Sequence, residues 1–199
     1  MQTEPQKAKK KIVLIGCSAG GPRALAILFK GLPQDISVPI IIAQHIPRGF
    51  SQRFAEWLQG NCAMKVREAH NGEFPSLGVV HIVPAGHNMT FLPSGTIHLE
   101  PVSDVVAASS SPFCPSITQM MKSAAAVFRT NAIGILLTGI GDDGAEGLLA
   151  IKKAGGYTIV EDVSTCWVFG MPKKAIEIGA ALESLPCFSI SERILKLVR

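Results

Sequence analysis

The sequence lacks any hydrophobic run long enough to cross a bilayer. Its longest apolar runs, such as VPIIIA and AIGILL, fall far short of the roughly 20 residues that a membrane-spanning helix needs. It also shows no secretion signal, because no apolar segment of signal-peptide length precedes a small-residue cleavage site in the polar N-terminal stretch. We therefore expect a soluble, cytoplasmic protein with no membrane insertion.

Disulfide and metal-binding patterns are missing as well. The five cysteines are an odd number with no C-x-x-C pair, which favours reduced thiols; they are Cys17, Cys62, Cys114, Cys166 and Cys187. His70, His81, His87 and His98 have no H-E-x-x-H spacing, and we expect His81 and His87 to lie on a hairpin. The sequence therefore predicts no metal and no other cofactor.

Basic patches are scarce too. The formal net charge is only +4, and several of the lysines precede Lys11, where the predicted domain begins. Neither a basic helix nor a stretch of basic residues interleaved with aromatic ones is present. We therefore expect no nucleic-acid partner.

The composition that remains is that of a globular protein. With 199 residues, 47% of them hydrophobic and 17% charged, the chain is large enough to bury a substantial core. Residues 1–10 are polar and without periodicity, so we expect a disordered tail or a linker remnant there. Residues 11–199 are predicted to form one domain.

Apolar runs alternate with amphipathic segments along the chain. IVLIG, VPIIIAQH, AIGILLTG and YTIVED are predicted strands. PRALAILFKGLP, GFSQRFAEWLQGN, DGAEGLLAIKKAGG, MPKKAIEIGA and SERILKLV are predicted helices, the second with Phe50, Phe54, Trp57 and Leu58 on one stripe. This alternation predicts an α/β fold with a doubly wound, mostly parallel sheet flanked by helices.

The pattern changes between Gly78 and Pro101. Short alternating runs around PSG predict an antiparallel hairpin or meander near residues 78–101, rather than another β-α unit. SDVVAASSSPFCPS is a predicted loop, and ITQMMKSAAAVF is a predicted helix with Met120, Met121, Ala124 and Phe128 on its buried stripe.

Polar side chains follow three of the predicted strands. Ser18 follows the first strand, Gln44 and His45 the second, and Asp142 and Asp143 follow GILLTGIG. Ligands of an open α/β sheet bind at such carboxyl ends. A serine becomes a good nucleophile when an imidazole takes its proton and a carboxylate orients the imidazole. The turn GCSAG also matches the G-x-S-x-G nucleophile elbow, so we expect a hydrolytic site with one of the two aspartates.

These residues also have structural alternatives. Ser18 is suited to cap the helix that begins near Pro22, and either aspartate to cap GAEGLLAIKKA. His45 is also suited to be a hydrogen-bonded histidine at a strand end.

Two familiar sites fit poorly. The dinucleotide fingerprint G-x-G-x-x-G fails because Ser18 occupies its second glycine. The order serine, histidine, aspartate differs from that of ordinary α/β-hydrolases. The remaining alternative to an enzyme is a non-catalytic nucleotide- or protein-binding module on a Rossmann-like fold.

Longer segments resemble one family. IGCSAGGP, IIAQHIP, VVHIVPAGHNM, ILLTGIGDDGAEGL and EDVSTCWVFGMPKKAIEIGA are similar, in order and spacing, to the catalytic domain of the chemotaxis protein-glutamate methylesterase CheB family. The resemblance implies hydrolysis of γ-glutamyl methyl esters on the cytoplasmic helical region of chemoreceptors, with release of methanol. The resemblance also implies deamidation of certain receptor glutamines, which members of the family often carry out.

The resemblance also implies residue roles. It places the nucleophile at Ser18, the histidine at His45 and the aspartate at Asp143, and puts oxyanion contacts at the backbone of Ala19 and Ile140. His87 is expected near the rim of the site, outside the triad.

This sequence departs from the family pattern at several positions. Ala19 stands where threonine is common, and Ile46 and Ile140 stand where methionine is usual. Cys114 and Thr118 replace an expected basic residue and an expected aspartate of the substrate groove. The family usually carries a phosphorylatable receiver domain, whereas only ten residues precede the predicted domain here. The resemblance therefore implies either an excised catalytic domain or a stand-alone version, with a receiver domain as a candidate partner in cis or in trans.

Overall fold

A computed structural model describes residues 11–103 and 114–199 of the chain. The predicted tail, residues 1–10, and most of the predicted loop before Cys114 lie outside the described residues. The described strands are β1 (Ile12–Cys17), β2 (Ile40–Gln44), β3 (Lys65–Glu68), β4 (Val79–Ile82), β5 (His87–Phe91), β6 (Ile97–Pro101), β7 (Ala132–Leu136), β8 (Tyr157–Glu161) and β9 (Glu183–Leu185). The described helices are α1 (Gly21–Lys30), α2 (Ser51–Gln59), α3 (Ile117–Phe128), α4 (Ala145–Lys153), α5 (Met171–Glu177) and α6 (Cys187–Val198).

Seven of the strands form one parallel sheet in the order β3-β4-β2-β1-β7-β8-β9. The chain starts at the central β1, builds outward through β2, and later returns to add β7 on the other side of β1. The strand order therefore reverses between β1 and β7, and this is the point at which doubly wound sheets bind ligands. The predicted α/β class is confirmed.

Both faces of the sheet are buried, which explains why the sequence of β1 is apolar throughout. Val13 and Ile15 pack into a core with α1, α2 and α6, whereas Ile12 and Leu14 pack into a second core with α3, α4 and α5. Side chains alternate between the two faces of a strand, so a strand covered on both sides needs a continuous apolar run.

The predicted antiparallel hairpin is confirmed with narrower bounds. It consists of β5 and β6, paired from His87 with Pro101 to Phe91 with Ile97. Val79–Ile82 instead forms β4 of the parallel sheet, between β3 and β2. The expectation that His81 lies on the hairpin is therefore wrong. Short apolar runs look alike in the two settings, and only the partner strand decides between them.

Helix α2 also differs from its predicted stripe. Phe54 and Leu58 are buried, but Phe50 precedes the helix and is 50% exposed, and Trp57 is 43% exposed.

In residues 11–103 and 114–199, no helix is both long and apolar enough to span a bilayer.

Candidate active site

The expected site residues lie at the carboxyl ends of three neighbouring strands. Ser18 directly follows β1, His45 directly follows β2, and Asp143 lies in the loop between β7 and α4. Cys17 and Gln44 are register partners, and the His45 amide donates to the Cys17 carbonyl over 3.1 Å. Ser18 and His45 are therefore the first residues beyond the paired ends of two adjacent strands, at the point where the strand order reverses.

Ser18 lies in a sharp turn and does not cap α1. The N-cap position is Gly20, with φ of 82°, and the helix has no side-chain cap. A Cβ on Gly20 would lie 2.5 Å from Trp167 Cβ, and one on Gly139 would lie 2.8 Å from Ser18 Cβ. Glycine at these two positions lets the backbone turn after Ser18 and lets a second segment pass close to it.

His45 and Asp143 form a hydrogen-bonded pair. His45 Nε2 lies 2.9 Å from Asp143 Oδ2, and the two side chains are only 9% and 10% exposed. The carboxylate accepts, so this contact places the ring proton on Nε2 and makes Nδ1 the basic nitrogen of the neutral imidazole.

Asp143 also caps a helix, though not the one expected. Its Oδ2 and Oδ1 accept the amides of Ile117 and Thr118, the first residues of α3, over 2.8 and 2.9 Å. In return, the Thr118 hydroxyl accepts the amide of Gly144, the N-cap residue of α4, over 2.7 Å. The prediction that Asp142 or Asp143 caps α4 is wrong, because α4 has no side-chain cap and Asp142 is exposed.

These contacts keep the Asp143 carboxyl ionised. Burial acts to raise its pKa, but hydrogen bonds from His45, from Thr118 and from the Ile117 amide outweigh burial and lower the pKa below its usual value. A carboxylate that stays charged can orient an imidazole and stabilise its protonated form.

The backbone expected to bind an oxyanion is also held in place. The Thr138 hydroxyl lies 2.9 Å from the Ala19 carbonyl and accepts the Val168 amide over 2.8 Å. The Thr138 amide in turn donates to the buried Glu161 over 2.9 Å. Across residues 11–103 and 114–199, the structure records no hydrogen-bond acceptor for the amide of Ala19 or Ile140.

Sequence reasoning missed Thr138 and Glu161 as supports of the site. A signal was present for Glu161, because a carboxylate at the end of a buried strand needs hydrogen-bond donors nearby. His87 begins β5 and is half-buried. The described residues contain no cluster of three or more metal-ligating side chains.

The fold and these side chains together define a class of protein. The class is the doubly wound α/β proteins with a serine, a histidine and an aspartate at the carboxyl ends of parallel strands. The model of one family, described as CheB methylesterase, matches residues 13–194. The chain belongs to this CheB methylesterase family.

Curated relatives and a solved structure agree with that assignment. The chain is 43% identical over 188 residues to protein-glutamate methylesterase/protein-glutamine glutaminase 1 of Carboxydothermus hydrogenoformans, covering 94% of this chain and 55% of that protein. It is 44% identical over 195 residues to a protein of that name, numbered 2, from Bordetella avium, covering 96% and 54%. The chain thus spans about half the length of these relatives. The crystal structure of the Thermotoga maritima CheB methylesterase catalytic domain superposes with a TM-score of 0.87 at 36% identity, covering 96% of this chain and 100% of that chain.

Proposed function

We propose that this chain is a catalytic domain, spanning residues 11–199, that hydrolyses γ-glutamyl methyl esters on receptor proteins and releases methanol. The observation that carries the proposal is the His45–Asp143 pair, 2.9 Å apart, beside Ser18 at the point of strand reversal. The names of the relatives, which pair a glutamate methylesterase with a glutamine glutaminase, support this substrate class.

In the first half of the reaction, Ser18 Oγ attacks the ester carbonyl while His45 Nδ1 takes the hydroxyl proton. The C–O bond to the methoxy group then breaks, and the imidazolium returns the proton so that methanol leaves. Asp143 keeps the proton of the neutral ring on Nε2 and stabilises the transient positive charge.

In the second half, water attacks the acyl-enzyme with His45 again as the base. Cleavage of the Ser18 ester releases the glutamate carboxylate and restores the serine hydroxyl. The same steps on a glutamine side chain release ammonia in place of methanol, which fits the second activity in the names of the relatives.

Both halves pass through a tetrahedral oxyanion. We assign its stabilisation to the amides of Ala19 and Ile140, because Ser18 and Gly139 approach closely and Ile140 follows Gly139. The mechanism makes its own nucleophile and requires no metal, so activity should survive EDTA.

The test is methanol release from membranes that carry methylated chemoreceptors. We expect release with the wild-type chain and none above background with Ser18→Ala, while Ser94→Ala in the exposed β5–β6 turn acts as the matched control. Equal release by wild type and Ser18→Ala would contradict the proposal. Receptor binding without any turnover would favour the alternative of a non-catalytic binding module.

We further propose that the partner is the cytoplasmic helical region of such receptors and that the protein acts in the cytoplasm. A receiver domain in cis or in trans remains a proposed regulator.

A further inference from the structure

One side chain contacts the backbone of both Ser18 and His45. The Gln44 side-chain amide donates from Nε2 to the Ser18 carbonyl and to the His45 carbonyl, each over 3.0 Å. Gln44 is the last residue of β2 and is 4% exposed. We call this pair of hydrogen bonds the Gln44 bridge.

The orientation of the amide follows from its neighbours. Two carbonyl oxygens need two N–H donors, which only the NH₂ end of the side chain supplies. The other end, Oε1, lies 3.1 Å from Cys17 Sγ. Burial, with smaller effects of Glu161 and Cys187, raises the pKa of the Cys17 thiol far above its usual range, so the thiol keeps the proton that it donates to Oε1.

The bridge acts where the sheet stops. The backbone ladder between β1 and β2 ends at the hydrogen bond from the His45 amide to the Cys17 carbonyl. Beyond that bond, the Gln44 bridge joins the Ser18 and His45 carbonyls, and the Ser18 carbonyl also accepts the Gly21 amide over 2.9 Å. Gln44 has no room to shift toward α1, since a Cβ on Gly21 would lie 2.1 Å from Oε1.

We infer that Gln44 is a positioning residue that fixes the backbone of the nucleophile relative to the backbone of the base. This inference rests on the proposed function of Ser18 and His45. Loss of the bridge leaves both catalytic side chains in place but lets the two strand ends move apart. A misplacement of about 1 Å can lower a catalysed rate by about 100-fold.

The test compares two substitutions that each remove a buried pair of side-chain hydrogen bonds. Gln44→Met keeps the volume and length but removes the bridge. Thr158→Val is the matched control, because the buried Thr158 hydroxyl also joins two backbone groups, the Ala180 carbonyl and the Leu182 amide, but does so on β8, two strands away from β1.

Three quantities are measured: kcat and KM for methyl-ester hydrolysis, the rate at which a fluorophosphonate modifies Ser18, and the unfolding midpoint. We expect Gln44→Met to lower kcat about 10- to 100-fold, to change KM less than about threefold and to slow fluorophosphonate modification in parallel. Thr158→Val should lower the unfolding midpoint but leave kcat within about twofold of wild type. The fraction of protein whose Ser18 is modified at the end of the fluorophosphonate reaction measures the folded, reactive enzyme. Dividing the rate by this fraction gives a kcat that is comparable between variants, even if one of them folds poorly.

A second variant disturbs the bridge without changing Gln44. Gly21→Ala pushes against Oε1 and should lower kcat in the same sense as Gln44→Met. The inference is overturned if Gln44→Met keeps the wild-type kcat, or if both Gln44→Met and Thr158→Val lower kcat equally. Failure of the wild type to turn over ester or to react with the fluorophosphonate would instead overturn the proposed function.

Discussion

Two histidine–carboxylate pairs lie in the described residues, and they differ in what surrounds them. His45 contacts Asp143 over 2.9 Å at the carboxyl ends of β2 and β7, beside a serine. His81 lies 3.3 Å from Glu73 at the outer side of the sheet and is 0% exposed.

The second pair is committed to local structure. His81 Nε2 accepts the Ser76 amide over 3.0 Å, and Arg67 donates to both Glu73 carboxylate oxygens over 2.8 and 2.6 Å. These bonds hold the loop between β3 and β4. A buried imidazole next to a carboxylate is therefore not by itself evidence of a catalytic site. The position at strand ends and the nearby serine distinguish the first pair, which belongs to the proposed site.

The largest expected effect separates the acid of the first pair from its neighbour. Asp143→Asn should lower kcat by about 10⁴, because an amide at this position favours the wrong imidazole tautomer. Asp142→Asn is the matched control, and we expect less than about 0.5 kcal/mol of destabilisation because its side chain is exposed and caps no helix. Ester hydrolysis and thermal unfolding are measured for both. Inactivity of Asp142→Asn with near-normal Asp143→Asn would reverse the assignment.

The acid of the second pair should matter for stability alone. Glu73→Gln removes the charge that Arg67 contacts and should lower the free energy of unfolding by about 2 kcal/mol, with kcat within about twofold of wild type. Urea unfolding and ester hydrolysis check both parts, with Glu68→Gln on β3 as the control. A large loss of kcat in stable, folded Glu73→Gln would break the distinction between the two pairs.

Thr118 offers a finer test of how Asp143 is held. Thr118→Val removes the hydroxyl contacts to Asp143 and Gly144 and should lower kcat about tenfold, whereas Thr118→Ser should retain the rate. Ser116→Ala is the control, because it removes the side-chain cap of α3 at a cost of about 1 kcal/mol without touching Asp143. The expected order of kcat is contradicted if Ser116→Ala and Thr118→Val behave alike.

The lowered pKa values of Asp143 and Glu73 predict that the protein loses stability in acid. Burial acts to raise the pKa of each carboxyl group, but hydrogen bonds outweigh it. They lower the pKa of Asp143, and the hydrogen bonds from Arg67 and from the His70 amide lower the pKa of Glu73 to about 2. The unfolded chain takes up protons first, near pH 4, so the stabilisation present above that pH is lost as the pH falls.

Unfolding free energies from pH 6 to pH 3 test this effect. The slope should be at most about 1.4 kcal/mol per pH unit for each carboxylate, and Asp143→Asn and Glu73→Gln should each flatten the curve. Curves parallel to wild type would show that neither carboxylate is responsible.

The long apolar strands and the amphipathic helices were predictable from the sequence, because burial on one or two faces leaves a periodic pattern. The four residues of β3 and the three of β9 are too few to show a period, and no prediction covered them. For the same reason, the partner of Val79–Ile82 was misjudged.

Within the site, the spacing of Ser18, His45 and the two aspartates along the chain indicated which strand ends meet. It did not indicate that the Asp143 side chain binds the amides of α3, 25 and 26 residues away. Nor did it indicate that Gln44 joins the Ser18 and His45 carbonyls. Such contacts depend on where two distant segments pack, which local pattern does not encode.

The way in which Asp143 is bound bears on how this protein could evolve. Active-site groups are commonly retained at a cost in stability, so selection for heat resistance tends to sacrifice them. Asp143 places a negative charge at the N-terminus of α3, where the helix dipole favours it, and accepts two amides that would otherwise lack a partner. For the proposed triad, the usual trade-off between stability and activity is therefore reversed, and a population selected for thermal tolerance alone should keep Asp143.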